Sequence, residues 1–244
     1  MSATAVIWQD VECGGYDADL GLWEELAAPR GGLVLELGCG TGRVALHLAR
    51  RGFEVVGLDL DSRLIEALLE RAASDPAVAA RVRALVADAR DFALSEPVAL
   101  ALAPMQLLQL LPTRADRIAC LRRVTAALEV GGLLAAAIVE RAPAVVESFA
   151  PLPDVREVDG WVYMSSPVAV PPSDGRILLR RRRETVSPSG ERGEEIDQIE
   201  LRVLTAERLE DEAEEAGLRV VGRRGIPETE AHVGSTVVLL GRGA

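Results

Sequence analysis

One stretch constrains this chain more than any other: residues 33–61, LVLELGCGTGRVALHLARRGFEVVGLDLD. The apolar run 33–37 is long enough for one buried strand. Gly38, Cys39, Gly40, Thr41 and Gly42 then make a tight turn. Helix-forming residues follow from 43 to 51, and Gly52 ends them. A second apolar run, 55–58, is closed by Asp59. Strand, glycine loop, helix, strand and acid in this order predict one βαβ unit with a ligand site at its first turn.

Each piece has a physical task. Glycines let the backbone turn sharply and let a ligand approach where a Cβ would collide. The helix that starts at the loop offers free N–H groups there. Asp59 ends the neighbouring strand, so its carboxylate emerges at the same sheet edge and can accept both hydroxyls of a ribose. The usual dinucleotide fingerprint has a third glycine for close helix–strand packing. Arg43 stands at that position here, and the extra glycine is Gly42. Glu36, two residues before the loop, would oppose a pyrophosphate and suits a cationic ligand.

ELGCGTG resembles motif I of the class I S-adenosylmethionine (SAM) methyltransferases, and Asp59 falls where that family holds the ribose. The resemblance covers residues 31–142 well, 205–244 loosely and 143–204 poorly. It implies an α/β fold: a Rossmann-like three-layer αβα sandwich whose seven-stranded, mostly parallel sheet has an antiparallel seventh strand. SAM would be the cofactor and S-adenosylhomocysteine (SAH) the product. Carried over residue by residue, it assigns the cofactor to Glu36, Gly38, Cys39, Gly40, Gly42, Asp59 and Leu60.

Two further segments extend the resemblance. ADARDF (87–92) resembles the family's segment after its third strand, where Asp88 would accept from the adenine amino group and the Ala89 N–H would serve a ring nitrogen. The alternative is an aspartate capping a turn. After a fourth strand at 98–102, residues 103–109 emerge at the ligand edge. Ala103 and Met105 join the cofactor set there. Gln106 and Gln109 are the polar groups beside the expected methyl, as catalytic candidates or as partners of loop backbone. LEVGGLL (128–134) resembles the family's L-x-P-G-G turn, with Val130 in place of proline. Glu96-Pro97 replaces the family's aromatic–Asp pair at the far end of the fourth strand.

At the front, residues 17–28 read as a helix with Leu20, Trp23 and Leu26 on one face. The resemblance makes residues 1–30 a helical lid and gives Tyr16 a cofactor contact; packing on the core is the other reading. Ser62 is read as the cap of a helix over 63–73. Thr113 and Asp116 form a capping box for a helix that runs to 128, stopped by Gly131-Gly132 before a strand at 133–139. Thr205 caps an acidic helix, 206–216, ended by Gly217. Strands at 218–221 and 236–240 enclose a loop, 224–234, that carries His232 to the ligand edge.

Residues 143–204 read as an antiparallel β cap. Strands 177–186 and 195–204 would pair around Ser187–Gly190. Folding there sets Arg180 opposite Glu200 and Arg183 opposite Asp197, a salt-bridged ribbon in preference to a phosphate-binding patch.

With 244 residues, 49% of them hydrophobic, the chain can build one core with a cap, a single domain. A net charge of −11 disfavours nucleic acid partners. Three widely spaced cysteines argue against a disulfide framework or a metal site and fit a reduced, cytoplasmic setting. No basic-then-apolar leader is visible. The longest uncharged stretch, 97–113, is shorter than the roughly 20 residues a membrane span needs. The partner implied is a small-molecule acceptor methylated at N or O by in-line displacement, in a monomer or homodimer. His232 is the candidate base if the acceptor is a hydroxyl; His47 reads as structural. Two rivals stay open: a non-catalytic SAM-binding sensor or scaffold, and an NAD-dependent oxidoreductase, against which Arg43 argues.

Overall fold

The computed structural model describes residues 2–140, 152–168, 175–229 and 232–243. Two helices, α1 (Ser2–Cys13) and α2 (Leu20–Ala27), precede the core. Then β1 (Val34–Leu37), α3 (Arg43–Arg50), β2 (Val55–Asp59), α4 (Ser62–Ala73), α5 (Pro76–Ala79), β3 (Val82–Val86), β4 (Val98–Ala103), α6 (Leu107–Leu110), α7 (Arg114–Ala127) and β5 (Leu128–Ile138) alternate. The cap strands are β6 (Asp154–Val158), β7 (Trp161–Val168), β8 (Arg176–Val186) and β9 (Arg192–Arg202). The chain closes with α8 (Ala206–Glu215), β10 (Leu218–Ile226) and β11 (Ser235–Arg242). No helix among the described residues is long and apolar enough to cross a membrane.

The main sheet has the order β10-β11-β5-β4-β1-β2-β3. Strands β1 to β5 pair in parallel, and β11 runs antiparallel to both β5 and β10. This is the expected mixed sheet. Alternate residues of each central strand feed opposite faces. Val34, Leu100 and Leu102 pack with α2, α3 and α4 through Trp23, Ala45, Leu48 and Leu68. Leu35, Leu37 and Ala101 pack with α7 and α8 through Leu121, Val124 and Leu209.

Several boundaries differ from the sequence reading. Helix α1 was not expected. The cap of α4 is Asp61, not Ser62: its Oδ1 accepts from the Arg63 N–H at 2.9 Å. Thr113 and Asp116 do form their box, with Asp116 N donating to Thr113 Oγ1 and Thr113 N to Asp116 Oδ2, both at 3.1 Å. Helix α7 ends at Ala127, before the glycines, and β5 starts at once. Gly131-Gly132 instead absorb a register shift against β4, between the pairs Val98↔Leu128 and Leu100↔Leu133.

The cap is a four-stranded antiparallel sheet, β6-β7-β8-β9, where the sequence suggested one hairpin. Residues 143–151 and 169–174 of the expected cap lie outside the described residues. The predicted register is off by two: Arg180 pairs with Gln198 and Arg183 with Glu195. A two-residue slip preserves the face of every side chain, so Arg183 still reaches Asp197, at 3.0 Å on the diagonal. The cap sits on the core through Val139, Ile177 and Leu201. Gln109 staples its two stems, donating to the carbonyls of Val139 and Arg202 (both 2.9 Å) and accepting from Val139 N at 2.7 Å.

Candidate functional site

The loop after β1 needs glycine on backbone grounds. Gly38, Gly40 and Gly42 have φ of 64°, 53° and 90°, the left-handed region that a Cβ penalises. At Gly40 an added Cβ would also lie 2.8 Å from Gln9 Nε2 of α1. Gly42 caps α3, and a Cβ there would meet Leu68 and Leu46, so helix packing requires that glycine. Cys39 turns inward: it is buried, and its Sγ fills the space above Gly57.

Asp59 ends β2 beside this loop. Gly40 N donates to its Oδ2 at 2.8 Å and Asp61 N to its Oδ1 at 3.0 Å. Two backbone donors thus fix the carboxylate at the sheet edge, and both oxygens keep acceptor capacity. Leu60, next in the chain, is exposed at that edge.

Glu36 stands out among the described residues. It is 3% exposed, and its Oε2 has no hydrogen-bond partner among the described residues. Burial pushes its carboxyl up to about 8; Arg43 and the Ala45 N–H pull it partly back. An unpaired buried carboxylate oxygen is costly. A ligand ammonium reaching Oε2 would supply the missing partner, so the residues present fit a ligand with both a cationic end and a ribose.

A second cluster closes the edge. Tyr16, 9% exposed, stacks on His232 with ring centroids 4.6 Å apart and planes 40° apart. The His232 backbone is held in a short turn: its N–H donates to Thr229 Oγ1 (3.0 Å) and its carbonyl accepts from Thr229 N (2.8 Å). Burial lowers the His232 pKa below its ordinary value, so the ring is neutral at pH 7. After β4, Met105 and Gln106 adopt φ of 49° and 63°. Two consecutive left-handed residues without glycine store strain, which accumulates at functional segments. Gln106 Nε2 reaches Ser235 Oγ at 3.3 Å.

The structure therefore brings Tyr16, Glu36, the glycine loop, Asp59, Gln106 and His232 to the loop edge of one sheet. It removes Gln109, which is fully buried with its amide committed to the cap staple. Asp88 closes a turn, accepting from Arg90 N at 2.8 Å, and pairs with the Arg90 guanidinium. Its carboxylate is thus held from one side, beside Ala89. Ala103 is fully buried at the end of β4. Sequence reasoning missed α1. Its Asp10 accepts from Thr41 Oγ1 of the glycine loop (2.9 Å) and from Arg71 (2.9 and 2.5 Å). Its Glu12 takes both ends of the Arg183 guanidinium at 2.7 and 2.8 Å. No local pattern announces these partners; only the acids themselves were visible.

Residues 34–132, the stretch that carries the loop, Glu36 and Asp59, match the family model of a methyltransferase domain. This stretch is similar to a methyltransferase domain, and the sheet order around it is that of the class I methyltransferase fold. The putative methyltransferase YqeM of Bacillus subtilis is 38% identical over 52 residues, which are 21% of this chain and 21% of that protein. The alignment thus spans about a fifth of the relative's length. Solved structures resemble the whole chain. The CcbJ methyltransferase from Streptomyces caelestis superposes with a TM-score of 0.69 at 24% identity, over 95% of this chain and 92% of that one. The sugar N-methyltransferase KedS8 from Streptoalloteichus sp. gives 0.73 at 16% identity, over 98% and 92%. At such identities the likeness is one of fold, and it includes the cap.

Proposed function

We propose that this chain is a SAM-dependent methyltransferase that methylates an amine on a small polar molecule of the amino-sugar class. The observation that carries the cofactor half is the unpartnered, buried Oε2 of Glu36 beside a glycine loop whose Gly40 N–H orients Asp59. Glu36 receives the α-ammonium of SAM, and Asp59 receives the ribose hydroxyls. Asp88 and the Ala89 N–H take the adenine edge. When bound, SAM supplies an electrophilic methyl on a sulfonium.

The chain's own work is alignment. Tyr16, α1 and α2 cover the loop edge and exclude water. An amine acceptor arrives mostly protonated at pH 7 and attacks only after losing that proton. The neutral fraction of the amine supplies the attacking form, and His232, neutral and held against Tyr16, stands at the same edge, as the base that a hydroxyl acceptor would need. The likeness to a sugar N-methyltransferase, cap included, supports the acceptor class. A small acceptor also agrees with the net charge of −11, which repels nucleic acid.

The test is turnover of SAM by the purified protein with a panel of amino sugars and their hydroxyl counterparts, read by mass spectrometry. Methylated amine and SAH in equal amounts are expected. Methylation of the hydroxyl compounds alone overturns the acceptor class, and tight SAM binding without transfer to any compound favours a sensor.

A further inference from the structure

Arg43 occupies the place where a dinucleotide fingerprint has its third glycine, and nothing in cofactor binding alone explains it. It lies in the first turn of α3, yet its guanidinium reaches back to the lid. Nη1 donates to the Tyr16 carbonyl at 2.8 Å, and Nη1 and Nη2 grip the two oxygens of Asp19 at 2.5 and 2.7 Å. The guanidinium carbon lies 5.1 Å from the centroid of the Tyr16 ring, over its face. The pair is nearly sealed, with side-chain exposures of 12% for Arg43 and 1% for Asp19. Asp19 is itself anchored, because Oδ2 also accepts from Trp23 Nε1 at 2.8 Å and Trp23 is fully buried. Tyr16 is therefore held by its carbonyl and by its ring, and the face of that ring is what His232 meets.

We propose that Arg43 is a positioning residue: it fixes Tyr16 against His232 and thereby sets the acceptor edge from the first turn of the cofactor helix. The proposal rests on the methyltransferase reading of the site. A planar fork is needed, because one group must bind two carboxylate oxygens and a carbonyl while staying over an aromatic ring; lysine supplies the charge without that geometry. The charge has a separate use, since it faces the buried Glu36. Fork and charge can therefore be separated by substitution.

Among the described residues, the groups that act on His232 are Tyr16 against its ring, Asp154 of β6, Arg181 of β8, Arg43 of α3 and Asp19 ahead of α2. Burial is the largest influence and keeps the ring's titration low. Releasing Tyr16 opens the ring to water and moves its midpoint up towards the ordinary value of about 6.5. The chain has only two histidines, so ring-proton NMR resolves both.

The experiment titrates His232 in wild type, Arg43→Lys, Tyr16→Ala and the double variant, with SAM affinity measured calorimetrically on each. Arg43→Lys is expected to raise the His232 midpoint as Tyr16→Ala does, with no further rise in the double variant. SAM affinity of Arg43→Lys should stay within roughly threefold of wild type. An unchanged midpoint in folded Arg43→Lys, or full additivity in the double variant, overturns the proposal. If Arg43→Lys does not fold, Asp19→Asn loosens the fork with the Arg43 charge kept; losing the Asp19 charge by itself lowers the His232 midpoint, so a rise still reports the release of Tyr16, and no rise overturns the proposal. Absence of SAM binding in wild type would instead refute the methyltransferase reading, and the titration arm would still judge the positioning.

Discussion

The glycine-loop core and the cap are joined by different forces. The core sheet is walled on both faces by fully buried side chains, among them Leu35, Leu37, Leu100 and Leu102. Among the described residues, the cap meets the core through a small cluster of three buried apolar residues, Val139, Ile177 and Leu201. Besides the Gln109 staple and the edge contact of Trp8 with Tyr163, its other attachments are ion pairs and hydrogen bonds to acids. Glu12 of α1 binds Arg183, Asp10 binds Arg156 at 3.1 Å, and Ser165 Oγ donates to Glu12 at 2.8 Å. Burial is non-directional and indifferent to salt, whereas ion pairs need geometry and weaken as salt rises. The core is thus the fixed platform. The lid and cap are joined to it by contacts that salt weakens more than burial does.

The sharpest way to break this contrast is at Leu100. Leu100→Ala should cost about 2–5 kcal/mol in chemical denaturation, because the central strand cannot collapse onto the cavity. A smaller loss than for cap substitutions would reverse the assignment. Next in size, Asp59→Ala removes charge-assisted hydrogen bonds worth about 1.5–3 kcal/mol. Calorimetry should then show SAM affinity falling roughly 10- to 150-fold. The Gly40 N–H would lose its acceptor as well, so a stability measurement belongs beside it.

The third prediction concerns protons. Glu36 has a raised pKa in the empty protein, about 8, so it holds a proton there at pH 7. Its contribution to stability is full below the unfolded value of about 4.3 and is lost as pH rises through 8. An ammonium ligand needs the carboxylate form, so binding expels that proton. SAM affinity should rise between pH 6 and 8, at most about tenfold per unit, and level off above. Glu36→Gln should bind weakly and without that slope; an identical slope in the variant would place the linkage elsewhere.

The smallest effect lies at the cap. Glu12→Gln should cost about 1 kcal/mol of docking. The loss should appear as faster hydrogen exchange in β7 and β8, with β1 and β4 unchanged, and rising salt should mimic it in wild type. Uniformly faster exchange in both regions would mean that core and cap unfold as one.

The same contrast explains what the sequence could disclose. The unit from β1 to Asp59 was legible because apolar runs, glycines and one acid are local signals with short-range causes. Helix α1 was not, because its sequence has no clear apolar period and its partners Arg71 and Arg183 lie far along the chain. The β6–β7 hairpin did carry a signal that went unused. Asp159-Gly160 between strand formers is a two-residue turn, and both residues have positive φ, 52° and 79°. The slip in the β8–β9 register arose because charge pairing on one face is satisfied almost equally at two-residue offsets. At the site, Asp59 and Glu36 were readable from position. Gln109 looked equally exposed to chemistry, since its role as a staple depends on where β9 returns. Arg43 was noticed as a departure, and its partners became visible only with the lid in place.

The central claim is that Glu36 and Asp59 together hold one ligand across the glycine loop. A crystal structure with SAH tests it most directly. The account predicts the α-ammonium within hydrogen-bond distance of Glu36 Oε2 and both ribose hydroxyls on Asp59, with Tyr16 still stacked on His232. SAH bound with its ammonium away from Glu36, or with its ribose away from Asp59, would contradict it.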